Sequence, residues 1–114
     1  MTDCVIVSTA VETVADADRL ADAVVAERLA ACVQALPMRS TYRWKGSVER
    51  ASEVLLLMKT RAALADALID FVKKMHAYEV PELIVSSIEG GSPDYLEWIR
   101  GETARGGDDQ KVVS

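Results

Sequence analysis

At 114 residues the chain has room for one domain and no more. It is half hydrophobic and 27% charged, which excludes disorder, collagen and coiled coil. Eighteen acidic against thirteen basic residues give a net charge of −5, which repels phosphate backbones and anionic bilayers and argues against nucleic-acid and membrane partners. The domain is expected to fill 1–114, with residues 101–114 a polar tail.

Cys4-Val5-Ile6-Val7-Ser8-Thr9 is a short, largely β-branched run of the kind that forms a buried strand. Thr13, with Asp16 three residues later, starts a helix as an approximate capping box. Ala17, Leu20, Ala21, Val24 and Leu29 carry its apolar face, and the helix is expected to end near Ala30-Ala31. Residues 32–44 and 47–60 then read as two long strands joined at Lys45-Gly46, where glycine supplies the positive φ that a hairpin needs. Pro37 cannot donate to a ladder and points to an edge position, a bulge or a change of pairing partner.

From Arg61 the period changes. Leu64, Leu68, Phe71, Val72 and Met75 keep helical spacing behind Thr60 as the natural N-cap. Leu83 through Ile88 reads as another buried strand, and Ser92-Pro93 opens a short helix carrying Tyr95, Trp98 and Ile99. Val112-Val113 is the only apolar feature of the tail and needs a pairing partner to be ordered. The order β-α-β-β-α-β plus a short C-terminal helix predicts an α+β, ferredoxin-like sandwich with a long hairpin.

One length does not fit a single protomer. A 13-residue strand from Cys32 to Trp44 extends about 43 Å at ~3.3 Å per residue. A domain of this size is only roughly 34 Å across, so the hairpin projects beyond its own core. Tyr42 and Trp44 near its tip are then expected to be covered by another subunit.

The residues Ala30-Ala31-Cys32, Tyr42-x-Trp44-x-Gly46-x-Val48-Glu49, Glu53, Lys59-Thr60, His76-x-Tyr78-Glu79-x-Pro81-Glu82 and Tyr95-Leu96-x-Trp98 resemble the CutA family of divalent-cation tolerance proteins. The resemblance runs from about Val5 to Ile99. It implies a tight homotrimer whose hairpin strands pair between subunits, with Tyr42 and Trp44 at the interface, and an architecture like that of the PII signalling proteins. It also implies a role in tolerance of copper and other divalent cations. Some members carry a cysteine where this chain has Ser8, and two adjacent histidines where it has Met75-His76; Ala77 stands where proline is usual.

His76, the one histidine, is the retained candidate metal ligand, with Glu79 and Glu82 as partners and copper or another divalent cation as the metal. Its plain alternative is a helix C-cap, where the dipole favours an imidazolium. Tyr78-Glu79-x-Pro81-Glu82 sets a phenol and two carboxylates in a proline-fixed loop, either for binding or to make the loop rigid. Lys59 shares a strand face with Leu55 and Leu57; it snorkels, or it lines a ligand cleft with Tyr78 and Glu82 between subunits. Cys4 and Cys32 read as reduced core thiols. Tyr95 and Trp98 read as packing.

No Gly-rich phosphate loop, H-E-x-x-H or G-x-S-x-G is present, which argues against an enzyme. No signal peptide or membrane span is visible, so the cytoplasm is expected. The expectation is therefore a cytoplasmic homotrimer in divalent-metal tolerance that binds such ions weakly. The alternatives are a PII-like sensor holding a small anion between subunits, with Lys59 as a wall, and a scaffold for protein partners.

Overall fold

Residues 2–104 are described by a computed structural model. Strand β1 (Cys4–Val11) leads to helix α1 (Val14–Ala26), then to strands β2 (Cys32–Trp44) and β3 (Ser47–Arg61). A 3₁₀ turn at Ala62–Leu64 opens into α2 (Ala65–Met75), followed by β4 (Ile84–Ser87) and α3 (Pro93–Glu102). All pairings are antiparallel and the sheet order is β2-β3-β1-β4. This is the expected α+β, ferredoxin-like arrangement, in which α1 carries the chain over β3 and α2 carries it over β1.

Alternation along the strands divides the sheet's two faces. Val5, Val7 and Val11 of β1 join Leu56 and Met58 of β3 in the main core under α1 and α2. Cys4, one residue out of that phase, instead packs against Leu96 and Ile99 of α3. Helix α3 therefore sits on the opposite face, at one end of the sheet. Ser8, Leu55 and Leu57 on that face stay only partly buried, and the edge strand β4 exposes Ile84 at 53% and Val85 at 44%.

The hairpin accounts for the shape. Thirteen consecutive pairs run from Cys32↔Lys59 to Trp44↔Ser47, and the molecule measures 55 × 26 × 21 Å. Lys45 (φ 49°) and Gly46 (φ 84°) are both left-handed, as a two-residue type I′ turn requires. The hairpin projects as its length predicts.

Five local expectations are corrected. Helix α1 stops at Ala26, well before Ala30, because Arg28 turns left-handed (φ 57°). The Arg28 and Leu29 amides then donate back to the Val25 and Val24 carbonyls, both at 3.0 Å, and Leu29 folds into the core. Thr60 is not an N-cap: it pairs with Val5, the strand continues through Arg61, and a 3₁₀ turn precedes α2. Pro37 lies on the edge strand but pairs with Val54 in unbroken register, so there is neither a bulge nor a change of partner within the chain. An edge strand has one unladdered side, which is where a missing N–H is tolerated. Strand β4 is exposed instead of buried, being short and outermost. Helix α3 continues past Arg100 through Gly101 and Glu102, where Arg61 donates to the Thr103 hydroxyl at 3.0 Å and to its carbonyl at 2.7 Å. The pairing of Val112-Val113 lies outside the described residues.

Candidate functional site

The loop from His76 to Leu83 begins where α2 ends, and His76 is its anchor. The C-cap amide of His76 donates to Val72 O at 2.9 Å. Its ring Nε2 lies 2.7 Å from the Ala10 carbonyl of β1, and Nδ1 accepts from the Tyr78 amide at 3.1 Å. A carbonyl only accepts and an amide only donates, so this is the neutral tautomer with its proton on Nε2. Both ring nitrogens are thus engaged in holding the loop to the sheet.

Two residues on, the Tyr78 phenol donates to Glu53 Oε2 at 2.8 Å and so ties the loop to the hairpin. Its ring lies 4.8 Å from that of His76. Burial, then the hydrogen bond to Glu53, then the nearby carboxylates of Glu53 and Glu12 push the phenol above its ordinary range. The hairpin, the end of β1 and this loop enclose an open groove of about 750 Å³. Glu79 and Glu82 line it together with Glu12 and Glu53, and Tyr42, Trp44 and Tyr78 supply its rings. Tyr42 and Trp44 remain 45% and 40% exposed.

The groove therefore gathers Tyr78, Glu79, Glu82, Tyr42 and Trp44. His76 lies at its foot, lining a much smaller hollow beside Val11 and Met75. For a metal, the donor set of one chain is incomplete. The Nδ1 lone pair of His76 is taken by the Tyr78 amide, and among the described residues no three His, Cys, Asp or Glu side chains converge on a common point. Ser8 pairs with Leu57 and Ile84 on the open face of the sheet.

Lys59 stands elsewhere. Its Nζ donates to Tyr95 Oη at 3.2 Å and lies 5.2 Å from that ring's centroid, and Tyr95 stacks on Trp98 at 5.5 Å. Lys59 is paired with Ile6 and Cys32, six residues along β3 from Glu53, so one chain does not place Lys59 and Tyr78 in the same cleft. Tyr95 and Trp98 are half exposed on α3, while Leu96 and Ile99 do the packing. Cys4 is buried and its thiol is pushed up by that burial; Cys32 is partly buried, and both are free thiols.

Sequence reasoning passed over Glu12 and used Glu53 only as part of a motif. One signal was available: Glu53 shares a strand face with Leu55 and Leu57, where a carboxylate needs a partner. The identity of that partner, 25 residues away, has no local signature.

Comparison with known proteins gives consistent matches. A model of the CutA1 divalent ion tolerance protein family matches residues 5–102. The rice protein named Protein CutA 1, chloroplastic, is 48% identical over 86 residues, which are 75% of this chain and 49% of that one. The Pectobacterium atrosepticum protein named divalent-cation tolerance protein CutA is 42% identical over 98 residues, covering 85% of this chain and 89% of that one. The crystal structure of CutA from Xylella fastidiosa superposes with a TM-score of 0.87 at 38% identity, covering 90% of this chain and 99% of that one. The chain spans about half the length of the animal and plant relatives it matches.

Proposed function

The chain belongs to the CutA1 divalent ion tolerance family, and from that premise we propose that it works as a homotrimer that binds copper or another divalent cation weakly and serves in metal tolerance. It is a binding protein and not a catalyst in this reading. The observation that carries the metal reading is that Glu79 and Glu82 line one groove, on the loop that His76 opens. Hard carboxylate oxygens suit a divalent ion. Since one chain gathers too few donors, the remainder come from a second copy, or His76 gives up the Tyr78 amide to join them.

Support for assembly comes from what one chain leaves open. Strand β2 has a free outer edge thirteen residues long, and Leu36, Tyr42, Trp44, Ile84 and Val85 are exposed. Natural sheets seldom leave such edges and apolar surface bare, and a closed ring of three copies covers both. For the compartment we propose the cytoplasm, on the strength of two free thiols. No described helix is long and apolar enough to cross a membrane.

Two measurements test this reading. Calorimetric titration with copper(II) and zinc is expected to show weak binding that falls in the Glu79→Gln and Glu82→Gln variants. Unchanged isotherms in both variants would remove the groove from the site. Sedimentation equilibrium is expected to give three times the protomer mass. Trp44→Ala should shift that equilibrium toward smaller species, since truncating an interface anchor typically costs ~2 kcal/mol or more. A monomer at all concentrations would sink the assembly.

A further inference from the structure

We propose that the projecting half of the hairpin carries a docking surface for a short, extended acidic peptide, recognised by Arg39, Arg43 and Arg50. Successive side chains of a strand take opposite faces of the sheet. Arg39 pairs with Ser52, Thr41 with Arg50 and Arg43 with Val48, so the three arginines share one face, in phase with the buried Val54 and Leu56. All three are exposed. Tyr42, Trp44 and the hairpin's two acids, Glu49 and Glu53, stand in the other phase, so no carboxylate of the hairpin shares the arginine face.

Their lack of partners sets these arginines apart. Arg19 pairs with Asp16 at 3.2 Å, and Arg100 with Asp3 at 2.8 Å and Glu97 at 2.9 Å. Arg28 donates to Glu102 O at 3.2 Å and Arg61 to Thr103 O at 2.7 Å. Among the described residues Arg39, Arg43 and Arg50 have neither a hydrogen-bond nor an ion-pair partner, in a chain whose eighteen acids outnumber its thirteen bases. The assembly proposed above leaves their face open. Pairing along the β2 edge adds strands in the plane of the sheet, and Tyr42 and Trp44 meet their cover from the opposite side.

Spacing and charge set the class of partner. Diagonal neighbours across an antiparallel pair are about 7–8 Å apart, which puts Arg50 midway between Arg39 and Arg43. Same-face side chains of an extended peptide recur at about 6.6 Å, close to that interval. Each guanidinium can take a carboxylate through two parallel N–H donors. A pleated sheet face is not the concave pocket that holds a small anion. A long nucleic acid would also meet the acidic remainder of a chain of net charge −5. A short segment on the hairpin of a 55 Å molecule lies more than a Debye length, about 8 Å, from most of that charge.

Fluorescence anisotropy on the full chain in its native assembly is the test. The probe is a dye-labelled peptide of alternating Glu and Thr, with its Gln-Thr counterpart as the uncharged control. The Glu peptide is expected to bind with a dissociation constant on the order of 0.1 mM at low salt, and roughly ten-fold more weakly at about 0.5 M sodium chloride. Arg39→Gln, Arg43→Gln and Arg50→Gln should each weaken it roughly two- to five-fold. Arg19→Gln, which alters an arginine already paired with Asp16, should leave it unchanged. Circular dichroism and sedimentation of each single variant check that fold and assembly are kept. Equal binding of the Gln peptide, indifference to all three hairpin changes, or an equal loss in Arg19→Gln would overturn the proposal. Tighter binding of a short single-stranded DNA that displaces the peptide would also overturn it, by making the face a nucleic-acid site. Absence of peptide binding would do the same, and a lowered mass in the hairpin variants would then make the face a contact between copies.

Discussion

The phenol of Tyr78 donates a 2.8 Å hydrogen bond to the carboxylate of Glu53 and joins the loop after α2 to the hairpin across 25 positions of sequence. Both residues line the groove, so this bond links two of its walls.

Replacing Tyr78 with Phe removes that donor while keeping the ring. A hydrogen bond to a charged acceptor contributes about 1.5–3 kcal/mol, and solvent access at this half-open site puts the expected loss at the lower end, measured by urea denaturation. The pH dependence has a definite sign. The native phenol is raised above its unfolded value, so its stabilisation is complete below about pH 10 and is lost as pH rises toward the native value. The unsubstituted protein should therefore lose stability more steeply above pH 10 than the Phe variant. Parallel alkaline curves would show that the phenol is not perturbed.

His76→Ala strips a donor from the Ala10 carbonyl and an acceptor from the Tyr78 amide. The expected cost is roughly 1–3 kcal/mol with or without added metal. Because His76 positions Tyr78, the double variant with Tyr78→Phe should cost less than the sum of the two single changes. Chemical denaturation of all four proteins measures the coupling, and strict additivity would separate the two residues.

The turn at Lys45-Gly46 places a lysine at φ 49°, a conformation that asparagine adopts with less strain. Lys45→Asn should stabilise the hairpin by about 0.5–1 kcal/mol. Amide hydrogen exchange at Tyr42 and Glu49, the hydrogen-bonded pair next to the one that closes the turn, should slow roughly two- to five-fold as a result. Unchanged or faster exchange there would refute the turn assignment.

Much of this architecture is legible in the residues because its cues are local. Lys45-Gly46 marks a turn wherever it stands, and Ser92-Pro93 and Thr13 mark helix starts, with each cap hydroxyl accepting an amide as expected (Tyr95 N at 3.2 Å, Asp16 N at 3.1 Å). The misread points have non-local causes. Nothing in Glu27-Arg28-Leu29 announces a helix end; the end is imposed by the burial of Leu29. Thr60 has the chemistry of a cap, but its pairing with Val5 keeps it in the sheet. Ile84 and Val85 have the hydrophobicity of core residues, and that property alone does not say which surface covers them. The groove was half visible for the same reason: Tyr78, Glu79 and Glu82 share one segment, whereas Glu12 and Glu53 reach it through the fold.

Thr60 has a second consequence. Its side chain is fully buried on the helix-covered face, and its hydroxyl has no hydrogen-bond partner among the described residues. Thr60→Val keeps the shape and removes the unpaired group, so the protein should gain about 1–2 kcal/mol in urea denaturation. A loss of stability instead would mean that the hydroxyl is satisfied in solution.

The sheet order also sets a timetable for synthesis. Strand β1 is made before the other strands of the sheet, yet its neighbours are β3 and β4, with Cys4 meeting Arg61 and Val5 meeting Ser87. At about 5–20 residues per second, the apolar segment Cys4–Val11 waits on the order of seconds on the ribosome before either neighbour emerges. Strands β2 and β3, by contrast, are joined by a two-residue turn and can zip together within microseconds of release. The hairpin is thus in a position to form first and to present the free edge of β3 to a strand already waiting for it.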